Sequence, residues 1–175
     1  MAAQVLTGRF TSTINLNETL ASGLSNSSSL PGTLSVAFDY TNGNSATAGA
    51  INQEFCKGYT TVTLNSGATV TYTLTSLTDD AGRSKSFANG VRGVAIYVTS
   101  RSTGDYLNVG AAASNAWTGL VNSNTAVFRV YDFFATAIGN STDKLAVTAS
   151  SSEQLKIANA GNSAITFKLA VWGNT

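Results

Sequence analysis

Five carboxylates, Asp39, Glu54, Asp105, Asp132 and Glu153, lie in or beside stretches of alternating apolar residues, where two of them could serve as the acid and base of glycoside hydrolysis. Nine acidic and ten basic residues are dispersed over 175 positions, and at that density the simpler reading is charge that is solvated or paired across strands. Histidine is absent. Its absence removes Ser-His-Asp and Cys-His nucleophilic arrangements, histidine-ligated zinc and the commonest general base. Cys56 is the single cysteine, so neither an intrachain disulfide nor a multi-cysteine metal site can form. Its neighbours Phe55 and Lys57 favour a small buried side chain over a reactive thiol. Asp79-Asp80 offers oxygens to a calcium ion, yet Asp-Asp-Ala-Gly is also a turn sequence in its own right. The run Gly110-Ala111-Ala112-Ala113-Ser114 has neither the lysine nor the glycine spacing of a phosphate loop. No catalytic residue, cofactor or metal site is expected.

Aromatic side chains are the remaining candidates. Tyr59, Tyr97, Tyr106, Trp117 and Trp172 could stack saccharides, with Asn and Asp binding sugar hydroxyls, or could form a protein interface. Most aromatics in a domain of this size belong to the core or an interface. The sequons at Asn17, Asn26 and Asn140 are read as chance matches in a chain rich in Asn, Ser and Thr.

The elements that must position these residues are strands. Residues 144–173 end in a run where Ile165, Phe167, Leu169 and Val171 alternate with Thr166 and Lys168, the period of a half-buried strand. Leu155 and Ile157 alternate in the same way, and Asn159-Ala160-Gly161-Asn162-Ser163 between the two runs predicts a hairpin. In TVTYTLTSL, residues 69–77, Val70, Tyr72 and Leu74 face one side and a threonine ladder the other. GVAIYVTS, residues 93–100, repeats the pattern with Val94, Ile96 and Val98, and residues 33–40 place Leu34, Val36, Phe38 and Tyr40 on one face. An opening strand is expected over residues 5–16, and the Ser-Asn-Ser-Ser-Ser and Pro31-Gly32 signals predict a loop over residues 17–32. The period of AVFRVYDFFATAIG, residues 126–139, fits strand or buried helix, and its β-forming residues favour strand. Trp117 reads as a bulky anchor between a loop and a sheet. Without alternating helices or a fixed-period repeat, the pattern predicts one domain over residues 1–175: an all-β, antiparallel β-sandwich, jelly-roll-like, of eight to ten strands.

Composition bounds the partners. Charged residues are only 11% of the chain, and Ser, Thr and Asn make up 61 of its 175 residues, so hydroxyls and amides solvate the surface. No basic stripe exists to displace counterions from nucleic acid, and no apolar run is long enough to cross a bilayer. A net charge of +1 gives little colloidal repulsion, which favours association between copies. The first nine residues lack a basic segment followed by an apolar one, so synthesis in a cytoplasm is expected.

Three segments carry a resemblance: GVAIYVTS at 93–100, YLNVGAAASNAWTG at 106–119 and LKIANAGNSAITFKLAVWG at 155–173. Their order is similar to that in small bacteriophage structural proteins, where a Val/Ile strand precedes LTVGGAATNPWTG and the chain finishes on LKITNSGSGTVTYDIVIIG. Ala112 stands where that pattern has glycine and Ala116 where it has proline, and the resemblance covers only residues 93–173. It implies a non-enzymatic virion component, a capsid, decoration or tail-associated protein, made in the host cytoplasm and assembled as a trimer or larger homo-oligomer with other virion proteins. It implies no active site. A carbohydrate-binding or adhesive module, with glycans as partners, is the alternative.

Overall fold

The structure, a computed structural model, describes residues 8–21, 27–44, 46–139 and 141–175. Strands account for 53% of the chain, with one short helix. In chain order among the described residues they are β1 (Gly8–Ala21), β2 (Ser27–Asn42), β3 (Ala50–Ile51), β4 (Gln53–Leu64), β5 (Thr69–Thr73), β6 (Leu77–Thr78), β7 (Ser84–Lys85), β8 (Val91–Ser100), β9 (Leu107–Gly110), helix α1 (Thr118–Val121), β10 (Val127–Val130), β11 (Phe133–Ala137), β12 (Gln154–Asn159) and β13 (Ile165–Gly173).

Eight of these strands form two four-stranded antiparallel sheets, ordered β11-β8-β13-β4 and β10-β9-β12-β5. Their apolar residues meet in a single core. Val94, Ile96, Val98, Phe167, Leu169, Val171 and Phe55 come from the first sheet, and Leu107, Val109, Leu155, Ile157, Tyr72 and Val130 from the second. Burial alternates without a break along β12 and β13, as a period of two requires. The pairing is nested: β4 pairs with β13, β5 with β12, β8 with β11 and β9 with β10. Each of the successive pairs β4/β5, β8/β9, β10/β11 and β12/β13 is therefore divided between the sheets.

That division corrects the predicted C-terminal hairpin. β12 and β13 do not pair, because residues 160–164 carry the chain from one sheet to the other. The Asn159-Ala160-Gly161-Asn162 chemistry is used to build a crossing. Asn159, 2% exposed, donates through Nδ2 to the carbonyls of Leu64 and Ser163, both at 2.8 Å, and accepts from the Gly161 N–H at 2.8 Å. Asp105, also buried, accepts the N–H groups of Asn162 at 2.9 Å and Ser163 at 3.1 Å. Backbone groups that a hairpin would satisfy by strand pairing are satisfied here by side chains.

The predicted loop over residues 17–32 is also corrected at 17–21 and 27–32, while 22–26 lie outside the described residues. β1 and β2 form a continuous antiparallel ribbon whose 14 paired positions run from Gly8↔Tyr40 to Ala21↔Ser27, about 45 Å at the usual rise per residue. Pro31 lies opposite Asn17 in it, tolerated because β2 has a further partner, β3, only at Thr41 and Asn42. Turn-forming composition failed as a signal because a two-stranded ribbon can satisfy its backbone without an apolar face. The expected eight to ten strands are exceeded, because the two paired sheets alone hold eight. The described residues add the ribbon, β3, and the small β6-β7 hairpin, for thirteen.

Candidate functional site

The five carboxylates do not converge. Asp39 pairs with Arg9 at 3.4 Å, Glu54 with Arg83 at 3.8 Å and Asp132 with Arg101 at 2.8 Å. Asp105 holds the 160–164 crossing. Glu153 accepts the N–H of Ser150 at 2.9 Å and the hydroxyl of Thr75. Among the described residues no two of the five share a partner in these bonds, so each carboxylate has a separate local role. Asp79 closes the β6-β7 turn, accepting the N–H groups of Ala81 at 3.0 Å and Arg83 at 2.8 Å and the Arg83 Nε at 2.7 Å. Burial pushes its carboxyl up, but these donors and the Arg83 charge outweigh that and hold it below its ordinary value. Its oxygens are used by the turn.

The aromatic candidates separate into three groups. Trp117 is 2% exposed, and its indole N–H donates to the carbonyl of Ala146 at 2.7 Å. It is a core anchor and is removed from the candidate surface. Trp172 is half-buried on the outer face of β13, where it stacks on Phe10 of the ribbon at 6.1 Å and meets Tyr40 edge-on at 6.1 Å. It lies over Gly93, its cross-strand partner, and seats the base of the ribbon. The side chain of Tyr59 lies outside the described residues, as do Asn26 and Asn140 of the sequons.

Tyr97 and Tyr106 remain at the surface, and each has company that the sequence did not pair with it. On the outer face of the β11-β8-β13-β4 sheet, Tyr97 faces Phe133 on one side and Lys168 on the other. Tyr97 is 54% and Phe133 60% exposed. The next row on that face is Ala135, Ala95 and Ala170, and the row beyond is Ala137, Gly93 and Trp172. This outer face therefore carries an alanine strip between two aromatic ends, with Lys168 and Glu54 in the two end rows. The outer face of the other sheet carries Thr69, Thr71, Thr73, Lys156, Asn108 and Arg129. Two faces of one protein thus differ sharply in polarity. Phe133 was missed as a candidate because the run around it reads simply as apolar; only register shows which of its residues point outward.

Tyr106 belongs to a cluster where β10 turns into β11. Its ring lies 5.4 Å from Tyr131, with the Arg129 guanidinium 4.6 Å above it, while Arg101 lies 5.6 Å from the Tyr131 centroid. Beside them is an open cleft of about 450 Å³ lined by Thr99, Ser100, Arg101, Thr103 and Asp132. β10 and β11 are edge strands of their respective sheets, and both lie at the same end of the strand order. Exposed Val127, Tyr131 and Phe133 therefore mark one side of the molecule.

Comparisons with protein-family models, with curated proteins and with solved structures return no match to this chain.

Proposed function

We propose that this chain is a non-enzymatic structural protein of a virus particle, a bacteriophage capsid, decoration or tail-associated component, that self-associates as a trimer or larger assembly. The observation that carries the reading is the exposed pair Tyr97 and Phe133 next to the half-buried Ala95, Ala135 and Ala170, at the edge strand β11. Leaving these two aromatic rings in water costs free energy that contact with another copy recovers. The low net charge offers little opposition.

Strand order supports a jelly roll. Numbered one to eight from β4 to β13 among the paired-sheet strands, the sheets read 1-8-3-6 and 2-7-4-5. That is the order obtained when a double ribbon pairing first with last strand and fourth with fifth is rolled into two layers, an architecture common to viral capsid proteins and lectins. The resemblance over residues 93–173 favours the virion between these two. Electron microscopy of the purified chain at rising concentration tests the reading: rings, shells or fibres are expected, and isolated domain-sized particles throughout would contradict it.

A specific observation favours a second reading. The cleft lined by Val98, Arg101, Asp132 and three hydroxyl-bearing residues has the hydrogen-bonding character of a saccharide site, and Arg101 lies over the neighbouring Tyr131 ring. Under that reading a glycan array gives binding that Tyr131→Ala abolishes.

A further inference from the structure

A second pocket, of about 250 Å³, lies at the β6-β7 hairpin, away from the apolar face. One of its walls is Lys85, only 9% exposed. A lysine buried to this degree is normally paired. Among the described residues, however, Lys85 has neither a hydrogen bond nor an ion pair, and its ammonium is not sealed from solvent. The register explains the placement: Lys85 sits opposite Leu77, itself 5% exposed, so the methylene stem lies beside an apolar neighbour, and both residues line the pocket.

The rest of the lining is Leu77 and residues with hydrogen-bonding side chains, of which Thr75 donates to the Glu153 carboxylate and Thr175 accepts from Asn52. Gln53, Ser76, Thr78, Ser84 and Ser86 surround the pocket, and among the described residues none of their side chains is engaged by another protein group. Nearby carboxylates have other partners: Asp79 is held by its own turn and Arg83, Glu54 pairs with Arg83, and Glu153 accepts from Thr75 and Ser150. A partly desolvated cation with uncommitted hydroxyl and amide donors around it lacks only an acceptor-rich anion.

We propose that this pocket binds an oxyanion, a phosphate or carboxylate group, against the Lys85 ammonium. The site is independent of the self-association reading. Charge-assisted hydrogen bonds of this kind are each worth enough that losing the ammonium weakens binding by about tenfold or more.

The test is a titration of the full chain with inorganic phosphate and, separately, with acetate at constant ionic strength, followed by amide chemical shifts. Saturable shifts at Thr78, Ser84 and Ser86 with phosphate, with acetate or with both are expected, and the stronger of the two identifies the source of the oxyanion. Lys85→Met should abolish them, and Lys85→Arg, which keeps the charge, should retain them. Near-native amide spectra of Lys85→Arg confirm that the fold survives change at this position. The proposal is overturned if neither anion gives saturable shifts in the wild type, if the shifts persist in Lys85→Met, or if they are lost equally in both variants.

Discussion

Asp105 and Asn159 hold one crossing between them: the Asp105 carboxylate accepts the N–H of Ser163 while the Asn159 Nδ2 donates to the carbonyl of the same residue. Asp105 precedes β9, and Asn159 ends β12. The two side chains tie the passage of the chain from one sheet to the other, and so fix the order in which β13 enters its own sheet.

Asn159→Ala removes three hydrogen bonds and leaves the carbonyls of Leu64 and Ser163 and the N–H of Gly161 without those partners. At a site only 2% exposed we expect a loss of about 2–4 kcal/mol, read by urea denaturation. A loss below about 0.5 kcal/mol would mean that the crossing is held by other groups.

Much of this architecture was legible and some was not, for identifiable reasons. Alternation at Ile165, Phe167, Leu169 and Val171 and at Val94, Ile96 and Val98 located core strands correctly, because side-chain period is a local property of the backbone. Partner choice is not local. Asn159-Ala160-Gly161 suits a hairpin or a crossing equally well, and only Asp105, more than fifty residues earlier in the chain, decides between them. The apolar outer face was hidden for the same reason. Tyr97 could be named from sequence, but Phe133 and Ala170 join it only through the register of three strands.

A second prediction concerns Gly93. A Cβ there would lie 2.1 Å from Cζ2 of Trp172 and 2.7 Å from the Thr136 carbonyl. Gly93→Ala must therefore displace the indole from its seat between β8 and the ribbon, at a cost of about 1–3 kcal/mol. We expect lower stability together with a red-shifted tryptophan emission, since Trp117 stays buried. Combining it with Trp172→Leu should cost less than the sum of the two single changes. Strict additivity would refute the contact.

Acid stability should depend on Asp79. Its folded carboxyl lies below the ordinary value of 3.8, so as pH falls the unfolded chain takes up the proton first. The contribution is present above that ordinary value and is lost as pH falls through the folded one. Asp79→Asn should lower stability at neutral pH and flatten the decline on acidification, measured by denaturation between neutrality and pH 3. An unchanged acid slope in the variant would remove Asp79 from the account.

The most direct test of self-association is the solution mass by size-exclusion chromatography with light scattering. The wild type is expected at a defined multiple, three or more, of the 18.0 kDa chain. Phe133→Lys places a charge in the exposed row beside Tyr97 and Lys168. Forfeiting burial of one phenylalanine per contact weakens association by about tenfold or more, shifting the species toward 18.0 kDa with the melting temperature of the dissociated domain unchanged. A wild-type mass of 18.0 kDa at every concentration, or an assembly indifferent to Phe133→Lys, would contradict the assignment of this face as the interface between copies.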